Sequence, residues 1–294
     1  MVCGPAARSK EQHDMATEQP TVAIIIPVRN RAAEMQRLLE SVARQEYPLA
    51  KITVVVVDAL STDGTQEVCG KFPFVKLIEL PVERHVGRNK GVAATDTKYL
   101  VHIDSDMEMT PGTIATLVKI AEEEHFDFLS IPERSTGNTL WARARALEKI
   151  VIDDDPDRCG ARFMTRKAFD TVGGYDEQIL FSEDYNIHTR LSQAGFRHRV
   201  AKETFLWHHE GCTVLQAARK QFYYSQSAHL YFKKFKGVTV RQYNPFRAAY
   251  LRHGKLILQH PVLFTSLMLG KALTYVTGFS GMCYGWLRDR NRSK

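Results

Sequence analysis

The chain has 294 residues, of which 44% are hydrophobic and 25% are charged. This composition supports one large domain, with or without a smaller appendage, and argues against a chain that is disordered throughout. The net charge of +7 favours anionic partners, namely a nucleotide, a lipid phosphate, a membrane surface or a nucleic acid.

The five cysteines are scattered without a CxxC pair, so the sequence indicates neither a zinc site nor a disulfide framework. The first 20 residues are polar and lack the apolar core of a signal peptide, which predicts a disordered leader and no export by that route. We therefore expect a cytoplasmic protein, in solution or peripheral on the cytoplasmic face of a membrane.

From residue 21 the sequence alternates predicted strands with predicted helices, a pattern typical of a largely parallel sheet covered on both faces. The predicted strands are 22–26, 52–57, 75–80 and 99–103, and the predicted helices are 32–44, 65–69 and 87–94. Sheets of this kind bind ligands at the carboxyl ends of their strands. Polar residues stand at those ends: Arg29, Asn30, Asp58, Asp104 and Asp106.

Two carboxylates, Asp104 and Asp106, follow the fourth predicted strand with Ser105 between them. Such oxygens can bind Mg²⁺ or Mn²⁺, which in turn bridges a diphosphate and neutralises its charge as the leaving group departs. Paired acids also occur in solvated turns. Their position beside two earlier strand ends favours the metal site.

Asp58 ends an apolar strand, where its carboxylate can accept hydrogen bonds from a base or a ribose. Asp63 is expected to cap the helix that follows. Farther along, Arg88 and Asn89 lie in a segment with glycine on both sides, so Arg88 can meet a phosphate with two parallel hydrogen bonds. A solvated helix start is the alternative for that segment.

Glu183 and Asp184 are predicted to open a helix, where the backbone dipole favours an ionised carboxylate that can take a proton from an acceptor hydroxyl. Acids at helix starts are also common for stability alone.

The segments IIIPVRN, VVVVDALSTDGT, GRNKG, HIDSDM, GGYDE and FSEDYNIHTRLSQAG follow one another in this order. They resemble family 2 inverting glycosyltransferases of the GT-A fold in order and spacing over roughly two-thirds of the chain. The resemblance implies an α/β fold with a mostly parallel central sheet flanked by helices, and a single in-line displacement with a nucleotide-sugar donor.

By this resemblance, Pro27, Arg29, Asn30 and Asp58 line the nucleoside pocket. From the segments described above, we also predict Arg88, Asn89 and Ser105 as donor contacts. Asp104 and Asp106 would hold Mn²⁺ or Mg²⁺ and the diphosphate, and Asp184 would be the general base with Glu183 beside it. A UDP-sugar is the first expectation for the donor. The family usually has two acids where this chain has Asp58 followed by Ala59 and Leu60, so the donor base stays open.

His208 and His209 follow a predicted short strand at 198–201. In related enzymes a histidine near this place can approach the metal or the diphosphate, and a neutral imidazole suits Mn²⁺. The sequence interpretation prefers His209 as the metal ligand. A histidine that only caps a loop against the core is the alternative.

Residues 131–157 contain a predicted helix at 141–150 and an acidic run at 153–157, and an insertion here is where this fold would recognise an acceptor. Arg162 either points into the pocket or is an ordinary strand arginine. Residues 219–236 mix cations with aromatics, which suits a glycan or lipid-linked acceptor, although simple docking on the core is also consistent with this pattern.

Residues 262–287 are apolar, but Lys271 and five glycines or prolines between 261 and 285 interrupt them. Three interpretations remain: a spanning helix, an interfacial segment on anionic lipid, or a helical pair packed on the main domain. We accordingly predict a leader at 1–20, a GT-A domain at 21–240 and a C-terminal helical segment at 241–294.

Other classes of protein fit the sequence less well. A sugar-phosphate nucleotidyltransferase would need a glycine-rich basic loop after the first strand, where this chain has Pro27 to Asn30. A nucleic-acid partner is not expected, because the positive charge is dispersed and no binding motif accompanies it. Against a noncatalytic nucleotide-binding relative stands the presence of Asp104, Asp106 and Asp184 together.

Overall fold

The computed structural model describes residues 19–152, 160–244 and 248–292. Nearly all of the predicted leader and the whole acidic run at 153–157 lie outside the described residues.

Ten strands are described: β1 (Val22–Val28), β2 (Ile52–Asp58), β3 (Val75–Glu79), β4 (Tyr99–His102), β5 (Met107–Met109), β6 (Phe128–Ser130), β7 (Glu133–Thr136), β8 (Phe163–Thr165), β9 (His198–Val200) and β10 (Leu206–His209). Seven of them form the main sheet in the order β3-β2-β1-β4-β8-β6-β9. Within it β8 runs antiparallel to β4 and β6, while the other pairs are parallel. The predicted mostly parallel sheet is confirmed.

The described helices are α1 (Ala32–Ala43), α2 (Thr65–Gly70), α3 (Arg84–Ala93), α4 (Thr113–Glu124), α5 (Leu140–Val151), α6 (Arg166–Thr171), α7 (Glu183–Gln193), α8 (Val214–Ser225), α9 (Ala228–Lys234), α10 (Lys236–Gln242), α11 (Ala248–Arg252), α12 (Gly254–Gln259) and α13 (Pro261–Arg292). A 3-10 turn, Leu49–Lys51, leads into β2. The boundaries of the predicted helices at 32–44 and 87–94 differ from those of α1 and α3 by at most three residues.

The sheet forms because its central strands are continuous apolar runs. Every residue of β1 is buried, as expected for a strand covered on both faces. Alternate side chains enter different cores: Ile24 packs in the cluster that holds Met35 of α1, whereas Ile25 packs in the cluster that holds Ile187 of α7. Helices on both faces thus fix the register that brings the polar strand ends together.

A second, three-stranded sheet has the order β5-β10-β7. In it β10 runs antiparallel to β5 and parallel to β7, and His208 stands opposite Met107. Because Met107 directly follows Asp106, this pairing brings the histidines of β10 next to the two aspartates after β4.

The C-terminal segment ends in one long helix, α13, which packs against α8 and α5. Glycines permit the close approach. A Cβ at Gly281 would lie 2.2 Å from the carbonyl oxygen of Phe222, and one at Gly285 would lie 1.8 Å from that of Gln226. The glycines that interrupt the apolar run in sequence therefore form the packing face of this helix.

Candidate active site

A cavity of about 1030 Å³ opens at the carboxyl ends of β1, β2 and β4. Six of the residues predicted for the site line it: Pro27, Arg29, Asp104, Ser105, Asp106 and His209. Helix α8 forms another wall with Gln216, Arg219, Lys220, Tyr223 and Tyr224. The sequence motifs and the aromatic-basic segment therefore meet at one cavity.

Asn30 and Asp58, both predicted for the nucleoside pocket, do not line this cavity and instead connect the loops after β1 and β2. Asp58 is fully buried, and it accepts hydrogen bonds from the Ser61 backbone N–H at 2.9 Å and from Gln66 Nε2 at 2.7 Å. Asn30 has a left-handed backbone with φ of 52°, and its side-chain oxygen accepts from the Thr62 backbone N–H at 2.8 Å. Both residues thus hold the loops after β1 and β2 in place.

Arg88 of α3 is fully buried and joins two elements that carry acids. Its Nη2 lies 2.5 Å from Asp104 Oδ1, and its Nη1 donates to Glu183 Oε1 at 2.9 Å and to Asp184 Oδ1 at 3.2 Å. The end of β4 and the start of α7 are therefore held together by a single guanidinium group.

Asn89, the neighbour of Arg88, faces another way. Its side-chain amide donates to the Tyr175 carbonyl at 2.9 Å, and its oxygen accepts from the Tyr175 backbone N–H at 2.8 Å. The structure thus places Asn89 against the loop before α7 and away from the cavity.

Arg162 of the loop before β8 binds Asp104 from the other side. Its Nη1 donates to Asp104 Oδ2 at 3.2 Å, and its Nη2 donates to Glu133 Oε1 at 2.7 Å. Burial raises the pKa of Asp104, but the charges of Arg88 and Arg162 outweigh it and leave that pKa below its ordinary value. Of the two interpretations of Arg162, the structure supports the one in which it points into the site.

Glu183 and Asp184 open α7, as predicted, but their surroundings differ. The Glu183 side chain is 3% exposed and also accepts from Arg84 Nη2 at 2.8 Å. Burial opposes its ionisation, yet Arg84 and Arg88 outweigh burial and lower the pKa of Glu183. Glu183 is therefore an ionised anchor.

The Asp184 side chain is 23% exposed and lines a second cavity of about 210 Å³. Burial raises its pKa, and the nearby Glu183 carboxylate adds to the rise, so that Arg88 and Arg162 do not bring the value back to normal. The backbone of Ser182, directly before the helix, is left-handed with φ of 52°, a conformation that an ordered structure must enforce. A carboxylate of raised basicity that faces a cavity is suited to accept a proton.

His208 faces the paired aspartates more directly than His209 does. The Nε2 atom of His208 lies 3.6 Å from Asp106 Oδ1. In His209, Nδ1 lies 3.0 Å from Thr136 Oγ1 and Nε2 lies 3.1 Å from Glu108 Oε2. His209 lines the cavity, but hydrogen-bond partners occupy both of its ring nitrogens.

The surroundings of His208 are strongly polar. Its Nδ1 lies 3.2 Å from Glu133 Oε2 and 2.5 Å from Lys149 Nζ. Burial and Lys149 oppose protonation, whereas the carboxylates of Asp106 and Glu133 favour it and raise the pKa of His208 to about 9. A divalent cation on Nε2 would therefore have to displace the proton of this imidazole.

Two side chains at the cavity wall have the chemistry to bind a divalent cation. Among the residues that the structure describes, no three His, Cys, Asp or Glu side chains converge as a complete metal cage. Asp106 and His208 nevertheless offer a carboxylate and an imidazole at the cavity wall. Two protein ligands suffice for a cation that takes its other ligands from a diphosphate and water, so the residues fit Mn²⁺ or Mg²⁺ bound together with a donor.

Sequence patterns did not single out Lys149 or Arg84 for the site, and they included Glu133 and Tyr224 only within the segments 131–157 and 219–236. Lys149 binds Glu133 Oε2 at 3.0 Å and Glu210 Oε1 at 3.2 Å, and the Arg84 guanidinium lies 4.5 Å from the ring centre of Tyr224. None of the four belongs to one of the quoted motifs. For Glu133 and Lys149 the available signal was the mixture of acidic and basic residues at 131–157. The sequence alone does not show which of these residues form ion pairs.

The chain is similar to known proteins over most of its length. The family model described as glycosyl transferase family 2 matches residues 23–201. The succinoglycan biosynthesis protein ExoA of Rhizobium meliloti is 26% identical over 255 residues, which is 80% of this chain and 77% of that protein.

Solved structures share the fold. The mannosyltransferase PcManGT of Pyrobaculum calidifontis, in complex with GDP-Man and Mn²⁺, aligns with a TM-score of 0.66 at 18% identity and covers 90% of this chain and 88% of its own. Residues 1–349 of TarS from S. aureus, in complex with UDP-GlcNAc, align with a TM-score of 0.53 at 16% identity, with 92% of each chain covered.

Proposed function

The chain belongs to glycosyl transferase family 2, and from that membership we propose that it moves a sugar from a nucleoside diphosphate donor to an acceptor hydroxyl with inversion at the anomeric carbon. The observation that carries the proposal is the buried Arg88 bridge. It holds Asp104, at the large cavity, and Asp184, at the second cavity, on one guanidinium group. Donor and acceptor functions are thus joined at a fixed separation.

The large cavity is the proposed donor site. Pro27 and Arg29 lie at its nucleoside end, where Asn30 and Asp58 hold the loops, and Ser105 lies at the end near the aspartates. Similar structures contain GDP-Man or UDP-GlcNAc, which makes uridine and guanosine diphosphate sugars the two donor classes to test. We propose a UDP-sugar first.

Asp106 and His208 are the proposed protein ligands of Mn²⁺ or Mg²⁺. The sequence alone favoured His209, which is the competing assignment for the histidine ligand. A divalent cation bound there would neutralise negative charge on the diphosphate as it leaves. Asp104, held by Arg88 and Arg162, positions the end of β4 beside these ligands. In this arrangement Arg88 acts on the carboxylates and not on a phosphate.

Asp184 is the proposed general base. Its carboxylate accepts the proton of the acceptor hydroxyl while that oxygen forms a bond to the anomeric carbon. The bond between the anomeric carbon and the diphosphate oxygen breaks, and its electron pair leaves with the diphosphate. One displacement of this kind inverts the anomeric configuration. Glu183 keeps Arg84 and Arg88 in place and does not itself take the proton.

The second cavity is the proposed entry for the acceptor hydroxyl. Asp184 and Tyr185 line it together with Lys149 and Arg162, so a hydroxyl group finds charged partners there. A glycan or a lipid-linked acceptor, including a polyprenyl phosphate, is consistent with the aromatic and basic side chains of α8 at the neighbouring cavity. We place this reaction in the cytoplasm or on the cytoplasmic face of a membrane.

Calorimetric titration tests the proposal. The purified protein is titrated with UDP-, GDP-, ADP- and dTDP-sugars, each with Mn²⁺ and with EDTA. We expect one nucleotide class to bind with Mn²⁺ and to bind much more weakly with EDTA. Absence of binding for every donor, in detergent as well as in aqueous buffer, would contradict a catalytic role.

A further inference from the structure

Helix α13 presents two faces of opposite character. Between Val262 and Leu287 the sequence has one charged residue, Lys271, and its ammonium group turns inward to the carboxylate of Glu148, which is fully buried on α5. The glycines of α13 also face inward: Gly270 meets Trp141 of α5, and the later glycines meet α8 and its C-terminal end. The one charged side chain of this stretch and its closely packed glycines therefore lie on the face that contacts α5 and α8.

The outward face is apolar and exposed. Leu269 is 68% exposed, and Val276 and Phe279 are each 65% exposed. Val262 and Leu287 extend the same strip, which is roughly 38 Å long at 1.5 Å per helical residue. A mostly apolar surface of this length, interrupted by the exposed Thr265 and Ser280, marks an interaction site, because soluble proteins seldom leave one uncovered.

Cations lie at both ends of the strip. Arg252 and Lys255 precede it on α11 and α12 and are exposed, and Arg290 follows it. The Arg290 guanidinium lies 5.4 Å from the ring centre of Trp286, an aromatic residue of the kind that favours the boundary between lipid and water. An apolar strip flanked by cations is complementary to an anionic lipid surface.

We propose that the outward face of α13 binds an anionic membrane, with the helix lying in the plane of the interface. Among the residues that the structure describes, α13 is the one helix whose length and composition would permit it to cross a membrane. Its inner contacts oppose crossing, because a spanning helix would have to leave α8, withdraw Lys271 from Glu148 and break the bond of 2.9 Å from Arg288 Nη1 to Gln226 Oε1.

This placement brings the cavity close to the lipid. One face of α8 lines the cavity with Lys220 and Tyr224, and the opposite face packs on α13. Two packed helices, α8 and α13, each about 10 Å across, then separate the cavity wall from the lipid-facing surface. Binding of α13 to lipid does not depend on the proposed reaction.

The test is flotation of the purified full-length chain with two kinds of vesicle, phosphatidylcholine alone and phosphatidylcholine with phosphatidylglycerol. We expect binding to the anionic vesicles, weakened by high salt. The variant Val276→Glu/Phe279→Glu should reduce the bound fraction at least about tenfold. The control Leu49→Glu, which changes a residue that is 40% exposed at the 3-10 turn before β2, should bind as the unchanged chain does.

Three results would overturn the proposal. The first is failure of the unchanged chain to bind anionic vesicles. The second is retention on vesicles after an alkaline carbonate wash, which would indicate a spanning helix. The third is a stable dimer in sedimentation without lipid that Val276→Glu/Phe279→Glu dissociates, which would indicate that a second copy covers the strip. Circular dichroism and the melting temperature confirm that both variants are folded.

Discussion

The strand-end site and the α8–α13 contact are both buried, but they are built in opposite ways. At the site, long charged side chains such as Arg88 and Arg162 fill the space between elements and cross-link them. At the contact, glycines take the place of larger side chains: Gly281 and Gly285 let the backbones of α13 and α8 meet. The ion pair of Lys271 with Glu148 stabilises the neighbouring contact between α13 and α5. The site therefore depends on which charges are present, whereas the helix contact depends on small volume.

The comparison teaches where function and stability are sensitive. A change of charge without a change of shape should affect the chemistry at the site. A change of shape without a change of charge should affect the helix contact.

The strongest test at the site is Asp184→Asn, which keeps the shape and removes the basic oxygen. We expect transfer to fall about 10³-fold, within the range for loss of a general base, while the dissociation constant of the donor stays nearly unchanged. Initial rates and calorimetry measure the two quantities. The control Asp170→Asn, at an exposed position of α6, should retain full activity. Wild-type transfer by Asp184→Asn would remove Asp184 from the role of base.

The ion pair of Lys271 on α13 with Glu148 on α5 is tested by Lys271→Met. We expect a loss of about 3 kcal/mol in the free energy of unfolding, because the buried Glu148 carboxylate loses one of its cationic partners. Denaturant unfolding measures it. The matched control is Lys119→Met on α4, where the side chain is 69% exposed, with an expected change below about 0.5 kcal/mol. Equal stability of the two variants would refute the pair's structural role.

The shape dependence of the helix contact is tested by Gly285→Ala. A methyl group there would meet the carbonyl oxygen of Gln226, so we expect a loss of about 2 kcal/mol from overpacking, despite alanine's higher helix propensity. Thermal unfolding provides the measurement. The control Ser280→Ala lies on the exposed side of α13 and should not destabilise the chain. Increased stability of Gly285→Ala would show that the two backbones are not in contact.

The assignment of the metal ligand is tested by a pair of neighbouring variants. We expect His208→Ala to weaken Mn²⁺-dependent donor binding about tenfold, the low end for loss of a group that supports a metal. His209→Ala should have an effect of less than about twofold, because Thr136 and Glu108 occupy its ring nitrogens. Titration of each variant with donor and Mn²⁺ decides between them, and the reverse order would support the sequence preference for His209.

A smaller effect is expected in the pH dependence of the rate. Asp184 must be ionised to accept a proton, and its pKa is raised above 3.8, mainly by burial. Activity should therefore be full above that raised pKa and should fall as the pH decreases through it, at a higher pH than an exposed aspartate would give. A pH series of kcat/KM measures this limb. A limb at or below the ordinary value would contradict the raised basicity.

Sequence patterns were sufficient for the parts of the fold that depend on neighbouring residues. The continuous apolar runs of β1 and β2, and the apolar spacing of α1, determine the elements locally. The predicted opening of α7 at Glu183 was equally local, and the GT-A family resemblance was confirmed by the family match.

The remaining features depend on distant pairings. Which of the adjacent histidines faces Asp106 is decided by the register of β10 against β5, two strands of only four and three residues that are about 100 positions apart. The partners of Arg88 follow from packing of α3 against α7. The glycines of α13 interrupt an apolar run in sequence, and only the position of α8 shows that they form a contact face.

The measurement that tests the central claim most directly needs no acceptor. Slow hydrolysis of the donor that binds, with water in the acceptor position, is followed by proton NMR before the released sugar mutarotates. An α-linked donor should first release the β-anomer, because Asp184 directs one in-line displacement, and Asp184→Asn should suppress the release. Initial appearance of the α-anomer would contradict the single displacement on which the proposed mechanism depends.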